Sequence, residues 1–187
     1  MEYNAHTNLS AIRDEEGIIV KHFIDSLYGV ALIQEMFSEE KKLEVLDIGS
    51  GGGFPGIPLK IVLPHLHITL LDSVGKKVNA MSHFIEGLGL SDIRSIKERA
   101  EILAKDPKEQ GRYDLVVSRA TAYITDILTW ATPFLAKNGM IILYKMPSDD
   151  EKKDQKKICH KLGLVEVASF EYELADKKRV LLVFQKK

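Results

Sequence analysis

Apolar side chains recur at helical spacing between residues 18 and 37: Ile19, Phe23, Leu27, Val30, Ile33 and Phe37. Steps of three and four predict one amphipathic helix there, ahead of everything else in the chain. Beyond it the pattern alternates. Short β-type runs at Leu43–Ile48, His67–Leu71, Ile93–Lys97, Tyr113–Ser118 and Met140–Lys145 are separated by segments with helical patterning. Those segments are Ile57–Leu63, Lys76–Leu88, Tyr123–Phe134 and Asp149–Leu162; Gly87 and Gly89 mark the end of the second and Gly163 that of the last, while Gly139 precedes the fifth strand. Glycine just past a periodic run is a helix stop. Two more β-type runs, Val165–Tyr172 and Val180–Phe184, are joined by a turn around Ala175–Lys178.

Strands alternating with helices predict a mostly parallel sheet with helices on both faces. The connection between the last two strands is too short for a parallel crossover, so that pair is expected to be antiparallel. The expected fold is therefore α/β, doubly wound and Rossmann-like, with about seven strands, an antiparallel end hairpin and a preceding N-terminal helix. Five parallel strands closed by such a hairpin match the common adenosylmethionine-binding arrangement, whereas nucleotide-binding dehydrogenases more often keep every strand parallel. The 187 residues suit one domain, with a helical segment over 1–40 and a core over 41–187.

Composition narrows the partners only a little. The formal net charge is -1, from 26 basic and 27 acidic side chains, so the chain as a whole is not drawn to a polyanion. Any contact with nucleic acid has to come from a local basic patch. The single cysteine, Cys159, allows neither an internal disulfide nor a cysteine zinc cluster, which fits a reducing cytoplasm. Met1–Ser10 is polar, without the apolar stretch of a secretory signal, and no apolar run reaches the length of a membrane span.

The most informative stretch is Val45-Leu46-Asp47-Ile48-Gly49-Ser50-Gly51-Gly52-Gly53-Phe54-Pro55-Gly56, which leaves a strand and enters a helix. Gly49, Gly51 and Gly53 let the backbone adopt positive φ and approach a ligand closely. Gly51, Gly53 and Gly56 also fit the dinucleotide pattern G-x-G-x-x-G. Asp47 separates the two ligands. A carboxylate there would repel a pyrophosphate but would suit an ammonium, such as the methionine end of adenosylmethionine. Asp72, 23 residues after Gly49 at the end of the second strand, can accept from both hydroxyls of a ribose, or can simply cap the next helix.

The chain resembles the glucose-inhibited division protein B family, also called ribosomal small-subunit RNA methyltransferase G. The resemblance rests on Asn8-Leu9-Ser10-Ala11-Ile12, Val20–Leu27 (VKHFIDSL), Asp47–Leu59 (DIGSGGGFPGIPL) and Asp72–Lys77 (DSVGKK). Arg99-Ala100-Glu101 and Ser118-Arg119-Ala120 complete it. It implies the class I methyltransferase form of the doubly wound sheet. It also implies an enzyme that moves a methyl group from S-adenosylmethionine to N7 of a guanine in 16S ribosomal RNA. Gly49, Gly51, Gly53 and Phe54 would line the cofactor site, with Asp72 on the ribose, Ala100 and Glu101 flanking the adenine, and Arg119 closing the methionine end. Lys76, Arg99, Lys145 and Arg179 match basic family positions and are candidates for RNA contact. The expected partner is the small ribosomal subunit or its 16S RNA, and the expected state is a cytoplasmic monomer. In two places the chain departs from the family pattern. Met1 stands seven residues before Asn8, where members carry additional helical sequence, and Met146 follows Lys145 where members usually have glycine.

The implied chemistry asks little of the protein. Guanine N7 is unprotonated at neutral pH, so no general base is needed, and alignment can supply most of the rate. The sequence shows no catalytic triad or metal-ligand cluster, and Cys159 sits in a polar late helix, far along the chain from the glycine loop. His22 and Asp25 lie three apart, on one helix face, where they could line a target pocket or simply bond to a neighbour. Basic residues gather at Lys152–Lys157, interleaved with acids, and at Lys177–Arg179 on the end hairpin, where phosphate could be met. A target base must be splayed out and stacked, and Phe54, Tyr123 and Tyr144 are candidate platforms. Two other readings share the sheet: a nicotinamide-dependent oxidoreductase, and an adenosylmethionine-binding protein without catalysis.

Overall fold

The computed structural model describes residue 12 and residues 14–38, 42–119 and 122–187. Most of the Asn8–Ile12 segment and Ala120 lie outside the described residues. Seven strands form one sheet: β1 Leu43–Ile48, β2 Leu66–Asp72, β3 Ile93–Lys97, β4 Tyr113–Arg119, β5 Leu135–Lys145, β6 Leu164–Leu174 and β7 Lys177–Lys186. Their order across the sheet is β3-β2-β1-β4-β5-β7-β6. The first five are parallel, and β7 runs antiparallel between β5 and β6. The doubly wound sheet with its antiparallel end hairpin is therefore present as expected.

Strand periodicity divides the core in two. Leu46, Val116, Ile141 and Leu143 face one side of the sheet with Ile124, Ile127, Leu128 and Phe134. Their sequence neighbours Val45, Leu115, Val117 and Ile142 face the other side with Ile33, Leu59 and Met81. Successive side chains of a strand point to opposite faces, and strands covered on both sides read as continuous apolar runs.

The connecting helices after the first strand follow the sequence closely. They are α4 Gly56–Val62, α5 Gly75–Gly87, α6 Ala100–Leu103, α7 Ile124–Ala131 and α8 Asp149–Leu162. The short α6 had no periodic signature. The helix expected over Tyr123–Phe134 tightens into a 3-10 turn at Thr132–Phe134, where Pro133 withholds an N–H. Helix α8 is capped by Ser148, whose hydroxyl accepts from the Glu151 N–H at 3.3 Å, and ends on Gly163 in the left-handed region. No described helix is long and apolar enough to cross a membrane.

The N-terminal segment differs from its expectation. In place of one helix over 18–37 there are α1 Glu15–Ile18, a π-helical stretch Ile19–Ile24, α2 Asp25–Leu27 and, beyond a turn at Tyr28–Gly29, α3 Val30–Met36. The break has a tertiary cause. A Cβ on Gly29 would overlap the Tyr144 hydroxyl, which reaches across to donate to the Ser26 carbonyl at 2.9 Å. The apolar stripe predicts the buried face around α3, where Ile33 is in the core with Val30 and Phe37 packed against it, but fails before the turn. Ile19, Phe23 and Leu27 are 47%, 39% and 37% exposed, whereas Asp25 and Ser26 are 2% and 0%. This segment buries polar residues, and it does so over the C-terminal ends of the strands.

Candidate cofactor and substrate site

The loop after β1 is held in shape by its own backbone and by β2. Gly49 and Ser50 both donate to the Leu71 carbonyl, at 2.8 and 3.1 Å, and the Gly53 and Phe54 N–H groups both donate to the Ser50 carbonyl at 2.9 Å. The Ser50 hydroxyl donates to the Asp47 carbonyl at 2.8 Å and accepts from the Leu71 N–H at 3.1 Å. Two glycines are needed for closeness, and one of them for conformation as well. Gly53 has φ 92°, and a Cβ there would strike the side chain of Ile57. A Cβ on Gly56 would strike Leu70 and come within 2.9 Å of the Asp47 carboxylate. The Phe54–Pro55 peptide is cis.

Two carboxylates flank this loop. Asp47 is fully buried; its Oδ2 accepts from the Gly56 N–H at 2.9 Å, while its Oδ1 has no hydrogen-bond partner among the described residues. Burial pushes its pKa up from 3.8 to about 7, against the pull of the Gly56 and Ser50 hydrogen bonds and of Arg119. Asp72 is 6% exposed. Its Oδ2 accepts from the Gly51 N–H at 3.0 Å, with Lys77 Nζ at 3.7 Å, and its Oδ1 accepts from the Val74 N–H at 2.9 Å. Asp72 therefore both ties down the glycine loop and caps the turn into α5.

The third group is Arg119, at the end of β4 two residues beyond the partner of Asp47 in the adjacent strand. Its NH1 donates to the Lys21 carbonyl at 2.7 Å and to Asp25 Oδ2 at 3.1 Å; its NH2 lies 2.8 Å from His22 Nδ1. A guanidinium can only donate, so Nδ1 of His22 is the acceptor and this imidazole is neutral. Burial, with Arg119 adding to it, lowers the His22 pKa to about 4. The guanidinium lies 5.4 Å from the centre of the Phe54 ring, which stacks on His22 and meets Phe23 edge-on, both at 5.0 Å. The stretch that carries His22 is the π-helical one, an irregularity frequent at functional sites.

Gly49, Gly51, Gly53, Phe54, Asp72 and Arg119 thus meet at the C-terminal ends of β1, β2 and β4. Ala100, 7% exposed, opens α6 just beyond β3, and Glu101 beside it is exposed and paired with Arg99 at 3.3 Å. The basic candidates divide. Lys76 and Arg99 are exposed. The Lys145 ammonium is occupied within the fold, donating to Glu151 and to the Ala122 carbonyl, both at 2.8 Å. Arg179 is half-buried, and its Nε has no hydrogen-bond partner among the described residues. Beyond it Lys177 and Lys178 are exposed on the hairpin, which extends past the last β5 residue, Lys145, paired with Val180. Of the candidate platforms, Tyr144 is 2% exposed with its hydroxyl bound, so no base can stack on it; Tyr123 is 40% exposed and donates to Asp154 at 3.0 Å. Tyr172 and Tyr28 were missed by sequence reading. Their rings stack at 3.9 Å, and the Tyr172 hydroxyl donates to Asp25 Oδ1 at 2.7 Å. Only residues distant in the chain bring them together.

A family profile described as rRNA small subunit methyltransferase G matches residues 1–180. The ribosomal RNA small subunit methyltransferase G of Acetivibrio thermocellus is 39% identical over 187 residues, covering 99% of this chain and 75% of that one. Its counterpart in Lactococcus lactis is 35% identical over 190 residues, covering 100% of this chain and 79% of that one. Among solved structures, the magnesium protoporphyrin IX methyltransferase of Synechocystis with bound SAM shares the fold at TM-score 0.73 and 18% identity, covering 100% of this chain and 94% of that one.

Proposed function

The chain belongs to the rRNA small subunit methyltransferase G family, and from that membership we propose that it transfers a methyl group from S-adenosylmethionine to N7 of a guanine in 16S ribosomal RNA. The observation that carries the cofactor half of this reading is Asp47. A buried carboxylate with one unpartnered oxygen, beside a loop of close-approach glycines, is incomplete without a cationic donor. The ammonium of adenosylmethionine supplies that donor. A pyrophosphate would set negative charge against the same carboxylate, which disfavours the nicotinamide reading. Asp72 retains lone pairs for ribose hydroxyls, Ala100 and Glu101 stand where the adenine would lie, and Arg119 stands over Phe54 at the methionine end.

Bound there, adenosylmethionine supplies an electrophilic methyl group on a sulfonium. The residues of this chain bind and orient. Asp47 holds the methionine end of the cofactor and Asp72 its ribose, and the glycine loop closes against it. The Phe54 ring, held between His22 and Phe23 and below Arg119, forms an apolar wall that excludes water. The lone pair of guanine N7 is already available, so alignment is the main requirement. Lys76 and Arg99, after β2 and β3, and the hairpin residues Lys177–Arg179 lie toward opposite edges of the sheet but at the same C-terminal end of its parallel strands, and suit phosphate contact, which gives affinity without sequence information. On this reading the protein works as a monomer in the cytoplasm, on the small ribosomal subunit or its 16S RNA.

The test is methyl transfer from radiolabelled adenosylmethionine to small subunits that lack their native modifications, followed by nucleoside analysis. Label in 7-methylguanosine of the 16S RNA is the expected result. Cofactor binding with no label in RNA would overturn the substrate assignment, and NADH binding without adenosylmethionine binding would overturn the cofactor assignment as well.

A further inference from the structure

Arg119 ends a strand, yet its guanidinium is aimed by the two outer parts of the fold. Its carboxylate partner, Asp25, is held on both oxygens from different directions: Oδ2 by Arg119 at 3.1 Å and Oδ1 by the Tyr172 hydroxyl at 2.7 Å. Asp25 is 2% exposed, so neither contact is exchanged freely with water. Tyr172 belongs to β6, the edge strand of the sheet, and pairs across the hairpin with Arg179. Its ring is fixed by the stack on Tyr28, with centroids 3.9 Å apart and planes within 21°. Burial and the adjacent Asp25 hold the phenol well above its ordinary pKa, so it remains a donor throughout the working range. A hydroxyl has one proton to give, and here it goes to Asp25.

The consequence falls on the cofactor site. A buried carboxylate with one donor removed is free to turn toward its remaining partners, and a guanidinium–carboxylate contact depends strongly on orientation. Arg119 also positions the His22 ring by donating to Nδ1, and lies over Phe54, so a turn at Asp25 is felt at both. We infer that Asp25 and Tyr172 are positioning residues of the cofactor site: the end hairpin, through the Tyr172 hydroxyl and Asp25, sets the orientation of Arg119. The inference rests on the reading of this site as one for adenosylmethionine.

The test is a double-mutant cycle read by calorimetric titration of adenosylmethionine, with Tm recorded for every variant. Tyr172→Phe keeps the ring and its stack on Tyr28 and removes the hydroxyl alone. It is expected to weaken cofactor binding roughly 3–10-fold. Arg119→Ala is expected to weaken it more, and the double variant to be no weaker than Arg119→Ala, because Tyr172 acts only through the arginine. Asp25→Asn, which cannot accept well from both neighbours at once, is expected to resemble Arg119→Ala. Additive losses would overturn the inference. So would a Tyr172→Phe protein with lowered Tm and unchanged affinity, since that is the mark of a hairpin staple. Failure of the wild-type protein to bind adenosylmethionine would overturn the cofactor reading itself, and this inference with it.

Discussion

Two buried carboxylates stand toward opposite ends of the parallel strands, and their surroundings treat them differently. Glu109, in the turn after α6 and 7% exposed, is saturated. One oxygen accepts from Arg94 at 3.1 Å and Arg112 at 3.5 Å, and the other accepts from the Tyr113 hydroxyl. Arg94 is itself anchored on Thr69 at 3.1 Å, and Arg112 on Glu44 at 3.1 Å. Asp47, at the glycine loop, has one oxygen without a partner and a pKa raised to about 7. A saturated acid stabilises the fold; an acid left incomplete costs stability until a ligand completes it.

The difference can be broken experimentally from both sides. Glu109→Ala has the largest expected effect. It leaves the buried Tyr113 phenol without its acceptor and removes one partner from each of two partly exposed arginines, and should cost about 2–3 kcal/mol. Tm should fall by roughly 10 °C, while adenosylmethionine affinity in the still-folded protein stays unchanged. Asp47→Asn should behave in the opposite way. The amide still accepts from Gly56, so denaturant unfolding at pH 8 should show unchanged or increased stability, by on the order of 1–3 kcal/mol. Cofactor affinity should drop about 10–100-fold, the worth of a hydrogen bond to a charged group.

The pH dependence sharpens the contrast. The folded protein holds the Asp47 proton more tightly than the unfolded chain does, with a pKa of about 7 against 3.8. Folding stability from this group is therefore present at low pH and lost as pH rises from about 4 to about 7. Cofactor binding runs the other way, because the ammonium needs the carboxylate. Affinity should rise about 10-fold per pH unit from pH 5.5 toward pH 7 and level above it. His22, with a pKa of about 4, is neutral across that window and adds nothing to the slope. In Asp47→Asn the slope should vanish, and a slope that survives would assign the titration to another group.

The smallest expected effect belongs to an exposed pair. Arg99 and Glu101 are 3.3 Å apart with side chains 68% and 44% exposed. Arg99→Ala should shift stability by under about 1 kcal/mol and leave cofactor affinity alone. If Arg99 meets phosphate, the same variant should reduce the salt dependence of RNA binding by about one counterion.

The contrast also marks what was readable in the sequence. The strands and the glycine loop were legible because their signals are local: apolar runs covered on both faces, and glycines that the turn itself requires. Asp47 could be singled out because its charge conflicts with one of the two ligands the loop might hold. The N-terminal segment was not legible. Its helical stripe is real as a pattern, but Gly29 gives way to a tyrosine from β5, and Asp25 is buried because Arg119 and Tyr172 meet it there. Those partners lie 94 and 147 residues away, beyond the reach of any periodicity. Lys145 shows a different limit, since its partner is only six residues on but across a loop. Nothing local indicates that Glu151, on the first turn of the next helix, takes up its charge.

The place of β7 has a consequence for the birth of the protein. It lies between β5 and β6, although β6 precedes it in the chain. During folding β6 has no neighbour in the sheet until β7 has docked on β5. Its backbone groups, and those on the open side of β5, stay exposed until β7 arrives to join them. The folding chain thus passes through an interval with two unpaired strand edges, which invites intermolecular pairing. Shielding by a chaperone would matter most in that interval.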